Sequence, residues 1–233
     1  MNILVNRFFG KEIQRKRYLS KAPAGPMRDY LSAPLPTKKS TCHDLDIVAL
    51  DLETTGLDPK RDKILSFGLV HLRKMSILLE TSQHGFISLA EEIPEESAVI
   101  HQITDDVAAS GKPIEEALPG LLAELRGKVM LVHYARIEQN FIDAACRELY
   151  GVPFVIRTID TLVLARRLFE IRNHTIQTGN LRLFNLRPQY NLPQYKAHNA
   201  LSDALATAEL FLAMAAEMYP RQKNCHLDRF LTN

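Results

Sequence analysis

The sequence predicts an α/β fold in which a mixed β-sheet is flanked by helices. Its 233 residues suffice for one substantial core, although length alone permits one large domain or two small ones. Three strand-like segments joined by tight turns come first, at 47–53, 64–72 and 76–88, and indicate an antiparallel meander. Helical and strand-like segments then alternate, which is typical of a sheet with helices packed on its faces.

The second half of the chain supplies these alternating elements. Helical patterns are predicted at about 114–126, 136–150 and 161–170. Short apolar strands lie between them, with the sequences KVMLVHY and FVIRTID. A final stretch, ALSDALATAELFLAMAAEMY, is rich in Ala and Leu and free of Gly and Pro, so it predicts a long helix.

The N-terminal region differs from the rest in charge and composition. Residues 1–39 contain nine Lys and Arg against two acidic residues, a net +7, so the remaining residues carry −5 of the total +2. The stretch KAPAGPMRDYLSAPLPTKK has four prolines and predicts an extended connector. We therefore expect a basic helix and a Pro-containing strap at 1–44, the main domain at 45–220 and a tail at 221–233. The basic part could bind nucleic acid or an acidic partner, or be a solvated amphipathic helix.

The composition also bears on the class of protein. Hydrophobic residues make up 46% and charged residues 24% of the chain, as in ordinary soluble proteins. No apolar run approaches the roughly 20 residues of a membrane helix, and the first residues lack the apolar core of a secretory signal. A cytoplasmic protein without membrane contact is therefore expected. Three widely spaced cysteines, Cys42, Cys146 and Cys225, indicate neither a disulfide framework nor a zinc knuckle.

Two acidic residues lie where an apolar strand ends, in the stretch IVALDLETTGLD at 47–58. Residues two apart on a strand face the same side, so Asp51 and Glu53 project together, about 6.6–6.8 Å apart at their Cα atoms. A cation between them would relieve their repulsion, and oxygen ligands suit Mg²⁺ or Mn²⁺. The alternative is an exposed strand end without a ligand. The following turn, TTGL, offers free backbone N–H groups that suit a phosphate-bearing ligand.

A second signal is the stretch HNALSDA at 198–204, ahead of the last helix. Asn199 is predicted to cap that helix, which places Asp203 in its first turn and leaves His198 just outside it. The arrangement could serve for capping alone. It also allows the carboxylate to join a metal site while the imidazole approaches a water molecule from another side.

Three stretches of the chain occur in a fixed order: DLETTGL at 51–57, VHYARIEQNFI at 132–142 and HNALSDA at 198–204. Together they resemble the three motifs of the DnaQ-like 3′→5′ exonucleases of the DEDDh group, which includes the polymerase III epsilon proofreading subunit and RNase T. The resemblance covers roughly residues 46–219. HQIT at 101–104 is similar to a family segment that touches the terminal nucleotide, and IDTLVLAR at 159–166 to the strand-to-helix step after the second motif.

The resemblance implies an RNase H-like core, the exonuclease fold, with a site for two divalent ions, Mg²⁺ or Mn²⁺. Asp51, Glu53 and Asp203 would be the metal ligands, and the middle motif would supply a fourth catalytic carboxylate, Glu138. His198 would be the general base that takes a proton from the attacking water. The strand would then end in two acids because they are metal ligands.

The middle motif departs from the family pattern at the fourth acid. The family usually has His-Asn followed by Phe-Asp, whereas this chain has His133 and Tyr134 followed by Ile137 and Glu138. A Glu therefore stands where the resemblance implies an Asp, and its side chain is longer by one methylene. A helix slightly farther from the metals would let this longer side chain bring its carboxylate to the same place.

Substrate contacts are assigned through the resemblance to Thr54, Leu57, His101 and Ile103, which would grip the last nucleotide. Leu57 and Ile103 could instead be core residues. The loop at 171–197 contains basic residues that could contact phosphates, although loop arginines are more often simply solvated. These basic residues are Arg172, Arg182, Arg187 and Lys196.

The expected function is hydrolysis of phosphodiester bonds at the 3′ end of DNA or RNA, with release of nucleoside 5′-monophosphates. The expected partner is single-stranded or 3′-ended nucleic acid, and association with a DNA polymerase is a further option. Two alternatives are a metal phosphatase for small substrates and a non-catalytic nucleic-acid-binding module on a degenerate exonuclease fold. A carboxylate at all four expected positions favours the enzyme over the binding module.

Overall fold

The protein is built around a mixed sheet, seen in a computed structural model that describes residues 10–173, 175–177, 179–220 and 225–231. In this part of the chain, five strands form the sheet in the order β3-β2-β1-β4-β5. The pairs β1–β2 and β2–β3 are antiparallel, and the pairs β1–β4 and β4–β5 are parallel. The predicted mixed sheet is therefore confirmed. The strands are β1 (Asp46–Thr54), β2 (Ile64–Arg73), β3 (Ser76–Phe86), β4 (Val129–Val132) and β5 (Arg157–Asp160).

Helices flank this sheet, and the ones predicted from periodicity are all present. The long helices of the second half lie within a residue or two of their predicted bounds, whereas the short helices at 26–32, 95–101, 105–109 and 183–186 were not predicted. The helices are α1 (Lys11–Leu19), α2 (Pro26–Ser32), α3 (Glu95–His101), α4 (Asp105–Ala109), α5 (Ile114–Leu125), α6 (Arg136–Tyr150), α7 (Thr161–Ile171), α8 (Leu183–Leu186) and α9 (Ala200–Met218).

Alternate residues of β1 contribute to two cores, one on each face of the sheet. Ile47 and Ala49 pack with α7 and α9, whereas Val48, Leu50 and Leu52 pack with α2, α5 and α6. This division follows from the two-residue period of a strand. The C-terminal end of β1 lies at the edge of both cores, where polar side chains are accessible to a ligand.

The proline-containing stretch is partly helical, so the expected extended connector is wrong over 26–32. Pro26 begins α2, a position where its missing N–H costs nothing. Met27, Tyr30 and Leu31 are buried in the same core as α5 and α6, and the Tyr30 hydroxyl donates to the carbonyl of Val155 at 2.9 Å. The strap therefore contributes apolar side chains to the core rather than only linking elements.

Charged groups of the N-terminal region also bind the main body of the protein. Lys11 Nζ donates to the carbonyl of Ile156 at 2.7 Å, and Arg157 Nε donates to the carbonyl of Pro36 at 2.6 Å. Burial lowers the pKa of Lys11 to about 8. The buried guanidinium of Arg15 donates to a backbone carbonyl of α2. The predicted basic helix is thus present as α1, while residues 1–9 lie outside the described residues.

The expected C-terminal tail packs on the core over the part that is described, 225–231. Cys225, Leu227 and Phe230 are buried with α7 and α9, and the N–H of Cys42 donates to the carbonyl of Cys225 at 2.7 Å. The three cysteines are free and buried. Within the described ranges, no helix is both long and apolar enough to cross a membrane.

Candidate active site

Asp51 and Glu53 lie at the end of β1, on the face of the sheet that α9 covers. They continue the row of Ile47 and Ala49, whose side chains pack with α9. Asp51 is partly buried and Glu53 is 5% exposed, so neither forms the freely solvated strand end that was the alternative. One carboxylate oxygen from each lies within 4.8 Å of the other and of a carboxylate oxygen of Asp203.

Asp203 reaches this pair because the N-terminus of α9 packs closely on β2. Gly68, which pairs with Asp51 across the β1–β2 ladder, allows the close approach: a Cβ atom there would lie 2.1 Å from the backbone nitrogen of Leu201. Asn199 caps the helix as predicted, since its side chain accepts from the N–H of Ser202 at 3.1 Å. The Asn199 cap and the close packing at Gly68 together place the first turn of α9 over the end of β1.

Glu138 lies in the first turn of α6 and is 2% exposed. Asp160, at the end of β5, fixes the turn before this helix: its carboxylate accepts from the N–H groups of Tyr134 at 3.0 Å and Ala135 at 2.8 Å. The same carboxylate caps α7 by accepting from Leu162 at 2.9 Å. One buried acid therefore joins two strand-to-helix turns and sets where α6 starts. The sequence analysis did not assign Asp160 this positioning role.

The carboxylates are close enough to affect one another's ionisation. Burial, and then the charge of Glu138, raise the pKa of Asp51 well above its ordinary value. Burial raises the pKa of Glu138 to about 8, with smaller contributions from the charges of Asp160 and Glu53. Burial raises the pKa of Asp203 to about 7, and the charge of Glu53 acts in the same direction. Such clustering of perturbed acids is typical of functional sites.

The four carboxylates fit divalent cations. In the described residues, three of their buried oxygens have no hydrogen-bond partner: Oε1 of Glu53, Oε2 of Glu138 and Oδ1 of Asp203. A buried carboxylate without a partner is costly, and a cation offsets that cost. Oxygen-only ligands suit hard ions such as Mg²⁺ or Mn²⁺. Asp51, Glu53 and Asp203 form a group that could hold a metal ion.

Two histidines adjoin the carboxylates. His198 lies just before α9 with φ 67°, its N–H donates to Oδ2 of Asp203 at 3.2 Å, and its side chain is exposed. His101, in the last turn of α3, places Nδ1 2.5 Å from Oε2 of Glu53. The two imidazole rings meet edge to face with centroids 5.9 Å apart. The exposed imidazole of His198 therefore lies beside the acids and is accessible to water.

The four predicted substrate contacts differ in how exposed their side chains are. Thr54 is buried and donates to the carbonyl of Gly56 at 2.7 Å, while His101 contacts Glu53 as described above. Leu57 is 79% exposed and is therefore not a core residue. Ile103 is 4% exposed and packs in a small apolar cluster around Leu65. It also lines the cavity next to Glu53 and His198, so its contact with a nucleotide stays a prediction.

A cavity of about 370 Å³ opens beside the two histidines, between α3, the strand ends and the loop before α9. Polar side chains line it, among them Ser66, His84 and Lys196, none of which the sequence analysis connected with the site through a motif. Lys196 Nζ donates to Oε1 of Gln102 across the cavity at 2.7 Å. Contacts of this kind join segments far apart in the chain, so no local pattern predicts them.

Arg187 is buried rather than solvated or available for phosphates. Its guanidinium donates to the carbonyls of Pro193 and Ala206 and to Oε2 of Glu209 at 2.6 Å, and it lies over the ring of Tyr195. It thereby ties the loop before His198 to the middle of α9. Arg172 is also engaged, in an ion pair with Glu217, whereas Arg182 is exposed.

Comparisons with known proteins agree with this geometry. A family model described as "Exonuclease" matches residues 48–211. The PolC-type DNA polymerase III of Thermotoga maritima is 32% identical over 179 residues, which are 77% of this chain and 12% of the relative. The DNA polymerase III subunit epsilon of Treponema pallidum is 29% identical over 177 residues, 76% of this chain and 80% of the relative. The chain thus spans only about an eighth of the PolC-type relatives.

Solved structures share the fold. Exonuclease I of E. coli in complex with a dA16 oligonucleotide has a TM-score of 0.67 at 16% identity, over 76% of this chain and 42% of that one. The nuclease domain of 3′hExo, a DEDDh family member, bound to rAMP, has a TM-score of 0.65 at 13% identity, over 83% of this chain and 99% of that one. The predicted RNase H-like exonuclease fold is confirmed by these similarities.

Proposed function

Because the chain belongs to the exonuclease family, we propose that it is a metal-dependent 3′→5′ exonuclease that releases nucleoside 5′-monophosphates from DNA or RNA. The observation that carries the proposal is the grouping of three acids at one end of β1, with the buried Glu138 close enough to act on the pKa of Asp51 and the exposed His198 beside them. Four such acids would be costly in a protein that binds no cation. The cost is explained if they hold metal ions at a reaction centre.

The roles of the acids follow from their positions. Asp51, Glu53 and Asp203 would hold the divalent cations, Mg²⁺ or Mn²⁺, and Glu138 would add the fourth carboxylate. Two bound cations would supply Lewis-acid stabilisation of the charge that develops on the scissile phosphate. The residues themselves would fix where the cations bind, because β1, α6 and α9 each carry at least one of the acids.

His198 is proposed as the general base. Its backbone N–H is fixed by Asp203 while its imidazole remains exposed, so the ring can take a proton from water next to the carboxylates and pass it to solvent. Replacement by Ala should lower kcat by roughly 10²- to 10⁴-fold.

The substrate is proposed to be single-stranded or 3′-ended nucleic acid. Among the structural neighbours, one complex contains a dA16 oligonucleotide and another contains rAMP, so both DNA and RNA are candidates. The relatives named as DNA polymerase III proteins make a polymerase a candidate partner. A cytoplasmic location remains the expectation for such a protein.

The direct test is an assay of single strands labelled at the 5′ end, with Mg²⁺ or Mn²⁺. Stepwise shortening from the 3′ end, abolished by chelation and by a 3′-phosphate block, is the expected result. Asp51→Asn and Asp203→Asn should each abolish it without loss of the folded state. Asp106→Asn, at an exposed position in the first turn of α4, is the matched control.

Three outcomes would contradict the proposal. Full activity in either ligand variant would show that the acids are not the reaction centre. Binding of single strands without shortening, with either metal and with DNA as well as RNA, would identify the chain as a non-catalytic binding module. Release of a 5′-terminal nucleotide first would contradict the direction of hydrolysis.

A further inference from the structure

Cys42 and Cys225 lie opposite each other in a short antiparallel pairing between the segment before β1 and the C-terminal segment. At the centre of this pairing, Thr41 and His226 form an antiparallel bridge. The N–H of Cys42 donates to the carbonyl of Cys225 at 2.7 Å, and a second backbone hydrogen bond follows on the other side of the bridge. Two cysteines that are far apart in the sequence are therefore direct neighbours across the pairing.

The geometry of this pair suits a disulfide. Residues that face each other in a hydrogen-bonded antiparallel pair lie about 5.5 Å apart at their Cα atoms, and disulfides span Cα separations of about 4.4–6.8 Å. The side chains also meet, because the thiol of Cys42 donates a hydrogen bond to the sulfur of Cys225. Both thiols are free, so a bond between the two sulfur atoms requires little movement of the backbone.

The two thiols differ in access and in ionisation. Cys42 is 0% exposed, whereas Cys225 is 5% exposed and lines a cavity of about 370 Å³ together with Met75 and Tyr219. The hydrogen bond from the Cys42 thiol lowers the pKa of Cys225, and donating this bond raises the pKa of Cys42. Because the thiolate is the reactive form of cysteine, a small oxidant in the cavity would react with Cys225 first.

We propose that Cys42 and Cys225 form a modification site that is converted to a reversible disulfide by a hydroperoxide. With hydrogen peroxide, the Cys225 thiolate attacks one oxygen, the O–O bond breaks, and the product is a sulfenic acid and hydroxide. The sulfur of Cys42 then attacks the sulfenic sulfur, so that the S–S bond forms and water leaves. The hydroxide takes up the proton that Cys225 had lost. In total, two thiols lose two electrons and two protons, and the peroxide becomes two water molecules.

The disulfide would fasten the C-terminal segment, 225–231, to the start of the main domain. This segment covers one of the two cores: the ring of Phe230 packs edge to face with Phe211, and Leu231 bridges to Ile159 of β5. All five strands lie between the two cysteines in the sequence. A bond that closes so long a loop restricts the unfolded chain strongly, so oxidation should stabilise the folded protein. This inference does not rest on the proposed exonuclease function.

The test uses the full chain, reduced and then treated with a small excess of hydrogen peroxide. The remaining thiols are alkylated after denaturation, and mass spectrometry of a protease digest identifies the linked peptides. We expect a cross-link between Cys42 and Cys225 of the same chain, alkylation of Cys146, and loss of the cross-link in dithiothreitol. The midpoint of thermal unfolding should rise by at least about 5 °C on oxidation and return on reduction.

Three variants separate the roles of the sulfur atoms. Cys146→Ala is the matched control, because it removes a buried cysteine of α6 that lies outside the pair, and this variant should still form the cross-link. Cys42→Ala should leave a sulfenic acid at Cys225, which dimedone labels. Cys225→Ala should give no dimedone label at Cys42, because that thiol is fully buried.

The contrary results are equally specific. Absence of the Cys42–Cys225 cross-link in the oxidised wild type would overturn the proposal without reference to any variant. Cross-links to Cys146 or between two chains in place of this bond would overturn it as well, and so would oxidation of Cys225 to a sulfinic acid without a cross-link. Dimedone labelling of Cys42 in Cys225→Ala would contradict the assignment of Cys225 as the attacking sulfur. An unchanged unfolding midpoint after complete cross-linking would contradict the stabilising role.

Discussion

At the scale of one residue, Glu138 tests the prediction that a longer acid can serve where the family usually has Asp. Its side chain is almost fully buried in the first turn of α6, and its charge raises the pKa of Asp51. Glu138→Gln keeps the shape and removes the charge, so kcat/KM should fall at least about tenfold, or 1.4 kcal/mol of transition-state stabilisation. Glu138→Asp should also lose activity, because the shorter side chain withdraws the carboxylate.

A matched control for Glu138 lies on the same helix. Asp143 is turned about 140° away from Glu138 around the helix axis, and its carboxylate accepts from Arg147 and from the N–H of Phe154. Asp143→Asn should therefore leave kcat/KM unchanged. Wild-type kcat/KM in Glu138→Gln would show that the site works with three acids.

The raised pKa values of the acids predict how stability depends on pH when no cation is bound. The folded pKa is about 8 for Glu138 and about 7 for Asp203, above the ordinary values of these groups. The folded chain then binds more protons than the unfolded chain between about pH 4 and pH 8, so the free energy of unfolding should fall as the pH rises through that window. Added Mg²⁺ should stabilise the protein most at the upper end, where the acids are ionised.

Urea denaturation at about pH 5.5 and pH 8, in chelator and in excess Mg²⁺, measures this pH dependence. In chelator, the decrease in the free energy of unfolding from pH 5.5 to pH 8 should be smaller in Glu138→Gln than in the wild type, because Gln has no proton to lose. In Asp106→Asn this decrease should equal that of the wild type. A free energy of unfolding that rises with pH in chelator would contradict the proposed protonation of the acids.

At the scale of elements, the packing of α9 on β2 decides whether Asp203 can join the other acids. Gly68→Ala would place a methyl group within 2.1 Å of the backbone at the start of α9, so the helix must move away from β1. We expect lower stability and the loss of Mg²⁺-dependent stabilisation, measured by thermal unfolding with and without the ion.

Gly120→Ala is the matched control for this substitution. Gly120 lies on the exposed side of α5, and a Cβ there meets no atom within 4 Å among the described residues. This variant should be stabilised by about 0.4–1 kcal/mol, because Ala restricts the unfolded chain. If Mg²⁺ raised the unfolding temperature of Gly68→Ala as much as that of the wild type, the close packing of α9 on β2 would not be what positions Asp203.

Elements governed by local patterns could be predicted from the sequence, and the contacts between distant elements could not. Helix α6 begins and ends where its periodicity predicts, and Gly151, with φ 70°, terminates it. The shared face of Asp51 and Glu53 follows from the period of a strand. In contrast, the contact of His101 with Glu53 and the role of Asp160 depend on how separate elements pack, which no local spacing encodes.

Helix α2 was missed for a related reason. The four prolines of the stretch, one of which is the first residue of α2, dominate its composition, and the apolar residues of the helix span little more than one turn. Packing against α5 and α6 supplies the stability that such a short helix lacks by itself. Tertiary contacts therefore override the local preference for an extended chain.

At the scale of the whole molecule, α1 and the residues directly after it, which carry part of the basic N-terminal charge, lie away from the acids. Arg17 and Lys21 of this region line a pocket with Gly151, at the end of α6 opposite to Glu138, and 13 residues of helix span about 20 Å. A role in chemistry is therefore not expected, whereas contact with more distant phosphates of a bound strand remains a prediction. Substitution of Lys16, Arg17 and Lys21 by Gln should weaken binding at low salt and leave kcat nearly unchanged.

Deletion of residues 1–39 should have a different effect from neutralisation of their charge. The deletion removes Met27, Tyr30 and Leu31 from the core, and each large buried side chain contributes about 1.5–3 kcal/mol. Because whole domains are stable by only about 5–15 kcal/mol, the shortened chain should unfold at a much lower temperature or fail to fold. The Gln-substituted full chain, which keeps the apolar contacts, should unfold near the wild-type temperature in calorimetry. Unfolding of the shortened chain at the wild-type temperature would instead mean that the domain boundary near residue 45 holds and that the strap is dispensable for stability.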